Sequence, residues 1–201
     1  MNSRVIGVLA AVFLLTPASA SAQQLSFGPF YGYRFGGELE NTATGESLRI
    51  KENPSYGVYL DIDPADSGLR FELLYSVQET EVDLHDLTEP GLRDLDVHVF
   101  QVGGLQELWD GRFRPYIAGY VGATWFDLHG LDDDLRFSFT IAAGANYYLT
   151  KNLGVRLDVR GFGTVVESSG GLICADGGCV VNYRGDVMWQ GEASASVFLA
   201  F

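Results

Sequence analysis

The chain is poor in the residues that staple, bend or bind nucleic acid. Two cysteines in 201 residues exclude a disulfide-stapled scaffold, and six prolines exclude a proline-rich linker. Lysine is almost missing, because only Lys51 and Lys151 among the 13 cationic side chains are lysine. The formal net charge is −13 and no basic patch interrupts it, so binding to a phosphate backbone is excluded. No run approaches the ~20 apolar residues that a membrane-spanning helix requires. What remains, at 47% hydrophobic residues with 25 glycines, is material for one domain.

The first 22 residues read as an export signal. Arg4 precedes an apolar run from Val5 to Leu15, then come Pro17 and the small residues Ala20, Ser21 and Ala22. The run is too short to cross a bilayer as a helix. The expected organisation is a signal peptide over 1–22 and one exported domain over 23–201. If that domain enters a membrane, its backbone polar groups must be satisfied by a closed β-barrel.

From Leu25 onward apolar residues recur every second position. Leu25, Phe27, Tyr31, Tyr33 and Phe35 oppose Ser26, Gly28, Gly32, Arg34 and Gly36, the pattern of a two-sided strand. The same reading holds around Tyr56–Asp63, Leu69–Gln78, Leu95–Leu105, Leu135–Tyr148, Val155–Arg160 and Trp189–Phe201. In the fourth of these strands Leu95, Val97 and Val99 oppose Asp96 and His98. The strand over Arg114–Phe126 is two-faced, with Ile117, Val121 and Trp125 on one side and Tyr116, Tyr120 and Phe126 on the other, so its facing stays open. Eight such strands suffice to close a small barrel.

The connections alternate in length. Tight links occupy Pro64–Gly68, Trp109–Phe113 and Leu149–Asn152, whereas the others cover 37–54, 79–94, 127–134 and 167–187. Those four longer loops hold seventeen acidic residues, from Glu38 to Asp186, against Arg49, Lys51, Arg93 and Arg184. The polar strand face is nearly balanced: Arg34, Arg70, Arg136, Arg156 and Arg160 against Asp61, Asp63, Glu72, Asp96, Asp158 and Glu192. Balanced arginine and carboxylate suit a closed, paired interior, whereas a soluble lipocalin-like barrel would turn its charged face to water. Tyr33, Phe35, Tyr56, Tyr147, Trp189 and Phe201 fall near strand ends on the apolar face, as an interfacial aromatic girdle requires.

The terminal strand ends Ala193, Ala195, Val197, Leu199, Phe201 on alternate positions, and the segment from Arg114 to Ala123 opens with Pro115-Tyr116 and spaces Gly119 and Gly122. In these features and in its architecture from Leu25 to Phe201, the chain resembles the small eight-stranded outer-membrane proteins of Gram-negative bacteria, the OmpA transmembrane domain and OmpX type. The resemblance implies an all-β, eight-stranded antiparallel up-and-down transmembrane barrel in the outer membrane. It also implies that Phe201 is the signal read by the barrel-assembly machinery, and that membrane lipid and lipopolysaccharide are the surrounding partners.

A barrel of eight strands is filled by its own side chains, so no open diffusion pore is expected. Arg34, Asp61, Arg70, Glu72, Asp96, Arg136, Arg156, Asp158, Arg160 and Glu192 are the expected interior cluster, read as an ion-pair plug rather than a gated path. Export favours a disulfide between Cys174 and Cys179. His85, His98 and His129 have carboxylate neighbours but no second histidine at ligand spacing, so no metal or cofactor is assigned. The His-x-Ser pair of lipid A deacylases is absent, since His85, His98 and His129 are followed two residues later by Leu87, Phe100 and Leu131. The expected function is therefore a non-enzymatic one, structural or exercised through acidic extracellular loops toward surface or host partners. The alternatives are a lipid A-modifying enzyme and a soluble carrier of an apolar ligand.

Overall fold

The computed structural model describes residues 24–40, 47–64, 68–83, 92–128, 134–165, 174–175, 178–179 and 187–201. Eight long strands build it: β1 (Gln24–Gly36), β2 (Asn53–Asp63), β3 (Leu69–Asp83), β4 (Leu92–Glu107), β5 (Phe113–Leu128), β6 (Asp134–Tyr148), β7 (Leu153–Val165) and β8 (Val187–Ala200). Each pairs antiparallel with its sequence neighbour, and β8 pairs with β1, so the sheet closes and no barrel strand is left with an open edge. The segment expected to be an export signal, 1–22, and both His85 and His129 lie outside the described residues.

Two differences from the periodicity reading concern length. β3 and β4 run on together to the pair Asp83–Leu92, through residues expected to be loop. The first long connection also holds a short hairpin, Glu38–Glu40 against Ser47–Arg49. Alternation over three residues is too short to separate from chance, so only the pairing reveals it.

The faces divide by chemistry. Phe27, Tyr31, Leu73, Val102, Ile117, Ile141, Leu157 and Val197 point outward and are exposed, while Ser26, Arg34, Asp61, Glu72, Arg156 and Glu192 point inward and are buried. An apolar-ligand carrier needs the reverse arrangement, so the structure does not favour that alternative. Around the exposed face, Tyr33, Phe35, Tyr56, Tyr147, Trp189 and Phe201 lie exposed near the strand ends. β5, open from sequence, turns Tyr116, Tyr120 and Phe126 inward and Ile117 and Val121 outward.

Glycine makes room for interior rings. Phe30 sits opposite Gly57 and Tyr59 opposite Gly28 across the β1–β2 ladder. A Cβ on Gly28 would lie 2.5 Å from the Tyr59 ring, and one on Gly57 2.6 Å from that of Phe30. The rings therefore lie flat over the opposing backbone, and the lumen closes on them. At the short-turn end, Gly68 and Gly111 take positive φ (73° and 111°), the conformation that lets those two turns reverse tightly.

Candidate functional site: the charged lumen

The lumen holds charge in three tiers. Nearest the long loops, Arg34, Glu192 and Arg160 are in register across β1, β8 and β7. Arg34 Nη2 donates to Glu192 Oε2 at 2.7 Å and to Ser76 at 2.6 Å. Arg160 Nη1 reaches the other oxygen of Glu192 at 3.0 Å, and its Nε lies 2.8 Å from Asp158. Ser55 and Ser194 donate to Glu192 and Asp158, so each carboxylate has both charge and hydrogen-bond partners.

The middle tier crosses the barrel. Asp61 and Glu72 are register neighbours on β2 and β3, a like-charge pair that would destabilise the ladder if left alone. Arg156, from β7 on the far wall, places Nη2 at 2.6 Å from Asp61 and Nη1 at 2.7 Å from Glu72. Its Nε donates to Asn146 at 2.8 Å, and Tyr120 donates to Glu72 at 2.9 Å. The guanidinium plane lies 3.8 Å from the Tyr59 ring centre. Only a flat fork with several donors can serve two carboxylates, an amide and a ring face together, which explains arginine here rather than lysine.

The third tier closes the short-turn end. Arg70 lies 3.4 Å from Glu107 and donates to Ser26, Gln24 and Tyr148. Arg114 shares Glu107 at 2.9 Å, and Asn146 donates to it at 3.0 Å. Phe162 and Phe30 stack beneath Arg34 and Arg160, each 4.3 Å from ring centre to guanidinium carbon, so the cations also pack as flat apolar bodies.

Of the ten side chains expected in this cluster, Arg34, Asp61, Arg70, Glu72, Arg156, Asp158, Arg160 and Glu192 are buried in the lumen. Two are placed elsewhere. Arg136 is half-buried near the long-loop end of β6 and pairs with Asp134 at 2.8 Å. Asp96 is half-buried on the outward-facing positions of β4, in register with Glu79 and Asp127. The reason is that Leu95, Val97 and Val99 turn inward there, at 0–5% exposure, so the face assignment expected for this part of β4 is reversed. His98 is likewise not an interior histidine; it stacks on Trp125 and meets the Tyr75 hydroxyl at 3.1 Å through Nδ1.

Sequence reasoning missed Glu107, Arg114, Asn146 and Tyr120. Glu107 continues the inward parity of Leu105 and was legible had β4 been extended by two residues. Tyr120 stood on the two-faced strand and carried no directional signal. Cys174 and Cys179 are register partners of a two-residue ladder, Cys174–Ala175 against Gly178–Cys179. Phe201 exchanges backbone hydrogen bonds with Leu25, its side chain exposed. Among the described residues no three histidine, cysteine or acidic side chains are grouped to hold a metal ion.

Solved structures place this geometry among known barrels. Neisserial surface protein A superposes with a TM-score of 0.59 at 14% identity, covering 90% of this chain and 98% of its own. The outer membrane protein OprG from Pseudomonas aeruginosa gives 0.57 at 11% identity, covering 90% and 97%. The N-terminal β-barrel domain of OprF from Pseudomonas aeruginosa gives 0.50 at 14%, covering 89% and 97%. At these identities the likeness is one of fold. Comparison with curated proteins finds no match. The family profile of the outer membrane protein beta-barrel domain, however, matches residues 8–184, and the apolar outer belt, filled lumen and closed eight-strand topology agree with it. The chain belongs to the outer membrane protein beta-barrel domain family, and its place is the outer membrane of a Gram-negative bacterium.

Proposed function

We propose that this protein is a closed, non-enzymatic barrel that serves the bacterial envelope structurally and meets surface partners through its acidic loops. The observation that carries the reading is the Arg156 guanidinium, which reaches across the lumen to Asp61 and Glu72 with its ring neighbours packed around it. A solute could pass only by parting buried ion pairs, each of which leaves an uncompensated charge when broken. The short turns would face the periplasm and the acid-rich loops the outside, as length asymmetry indicates for such barrels. On that side a Cys174–Cys179 disulfide would stiffen the last loop, and divalent cations or host surfaces would meet the carboxylates.

The test is electrical. Purified protein, shown to be folded by a heat-dependent shift on an unboiled gel, is added to a planar lipid bilayer. The expected record stays at baseline, while discrete, long-lived conductance steps would overturn the closed-lumen reading. Incubation with lipid A followed by mass spectrometry tests the absence of enzymatic activity, and any altered acyl pattern would overturn it.

A further inference from the structure

In a chain of net charge −13, the short-turn end carries a cavity lined by cations. It measures about 570 Å³, and Arg112, Arg114 and Lys151 line it with Thr150, Gln24 and Tyr148 and, among the described residues, no carboxylate. Arg114 is held in place from three sides: Nη1 on Glu107, Nε on the Gly111 carbonyl at 2.8 Å, and its guanidinium carbon 4.5 Å from the Tyr148 ring centre. Arg112 and Lys151 are exposed and have no ion-pair partner among the described residues, whereas the other lysine, Lys51, is paired with Glu81 at 2.6 Å. Beneath the cavity, Gln24 and Tyr148 both accept from buried Arg70, whose Nε has no hydrogen-bond partner among the described residues. Arg70 and Arg114 both meet the carboxylate of Glu107, at 3.4 and 2.9 Å. Asp63, buried and in register with Gln24, adds an inward carboxylate at this end, so the cations left without an ion-pair partner among the described residues are Arg112 and Lys151.

The cavity is also preformed. Thr150 Oγ1 accepts the amides of Asn152 and Leu153, Asn152 donates to the Ala200 carbonyl, and the Tyr148 amide donates to Arg112. Leu149 lines the cavity, and Phe113, between Arg112 and Arg114 in the chain, has its ring 6.3 Å from that of Trp109; all three apolar side chains are more than half exposed. A tryptophan such as Trp109 lies where acyl chains meet headgroups, which puts the neighbouring cations at headgroup depth.

We infer that this cavity binds the phosphate of an anionic phospholipid, with Arg112, Arg114 and Lys151 as ligands and the acyl chains along Trp109, Phe113 and Leu149. Phosphate supplies acceptor oxygens to two cations that have no ion-pair partner among the described residues, beside a guanidinium already held in place. Juxtamembrane cations gain about a kcal/mol each toward anionic lipid, or roughly five-fold in association.

The test uses the folded protein in phosphatidylcholine bilayers containing spin-labelled phosphatidylglycerol or spin-labelled phosphatidylcholine. The fraction of label immobilised on the protein gives relative association. The expected result is a preference for phosphatidylglycerol that falls about five-fold for each of Arg112→Gln and Lys151→Gln and is unchanged in Lys51→Gln. Both changed residues are exposed turn positions, and the heat-dependent gel shift verifies that each variant is folded. Equal immobilisation of the two lipids, or a preference retained in the double variant, would overturn the inference. Displacement of the lipid by millimolar inorganic phosphate would assign the cavity to free phosphate and overturn the lipid occupant.

Discussion

One strand, β4, carries two opposite chemistries along its length. Toward the short turns, Val102 and Phe100 face outward at 50% and 47% exposure, while Gln101 is buried in the lumen. Toward the long loops, Leu95, Val97 and Val99 face inward, and Asp96 and His98 occupy the outward positions. The neighbours agree: β3 carries exposed Leu73 lower down and exposed Glu79 above, and β5 carries Val121 below and Asp127 above. Between the two regions runs an aromatic layer, in which Tyr75 stacks on Phe100 and His98 on Trp125. The difference is one of solvent. Within hydrocarbon the apolar residues go outward and the polar ones are held in the lumen, while above it water lies outside and the same alternation turns inside out.

The largest effect is expected where charge is buried. Arg156→Met leaves Asp61 and Glu72 facing each other without a cation, and should cost about 3–5 kcal/mol of folding stability by urea titration in lipid vesicles. In the upper region Leu95, Val97, Val99, Phe126 and Met188 pack inward beside buried Gln78, Thr80 and Thr124. Leu95→Ala should therefore cost about 2–5 kcal/mol in the same titration, as a buried leucine does in a soluble protein. A loss under a few tenths of that would mean the long-loop end is not packed.

Arginine scanning of the outer face locates the boundary itself. Leu157→Arg and Val102→Arg, both on strongly exposed positions of the apolar belt, should each cost roughly 2–4 kcal/mol, the larger for the residue nearer the midplane. Asp96→Arg, on the same outward face of β4 beyond the aromatic layer, should change stability by about 1 kcal/mol or less. Equal costs at Val102 and Asp96 would erase the boundary and return Asp96 to the hydrocarbon region.

Much of the barrel was legible because its rule is local. In β8, every second residue from Trp189 to Leu199 faces out and every intervening one is buried, as the period of two reads directly. The charged lumen was legible for the same reason wherever the residue itself lay at the depth of the apolar belt, hence Arg34, Glu72 and Arg156. Asp96 was misplaced because alternation tells which residues share a face without telling which solvent that face meets. Arg136 has the inward parity of Ser138 and Thr140, but lies near the long-loop end of its strand, half-buried and paired with Asp134. β5 was undecidable because tyrosine serves either face: Tyr31 lies in the belt, whereas Tyr120 spends its hydroxyl on Glu72.

The sequence by itself determined the strand count, the closed antiparallel class, the apolar belt and the stock of balanced arginine and carboxylate, since all of these follow from a period of two and from side-chain type. Only the tertiary structure decided which charges meet. Arg156 pairs with residues 95 and 84 positions away, from the opposite wall, and Arg34 with one 158 away. Barrel closure fixes those distances through register and the crossing of the lumen, and neither is encoded in the neighbourhood of any one residue.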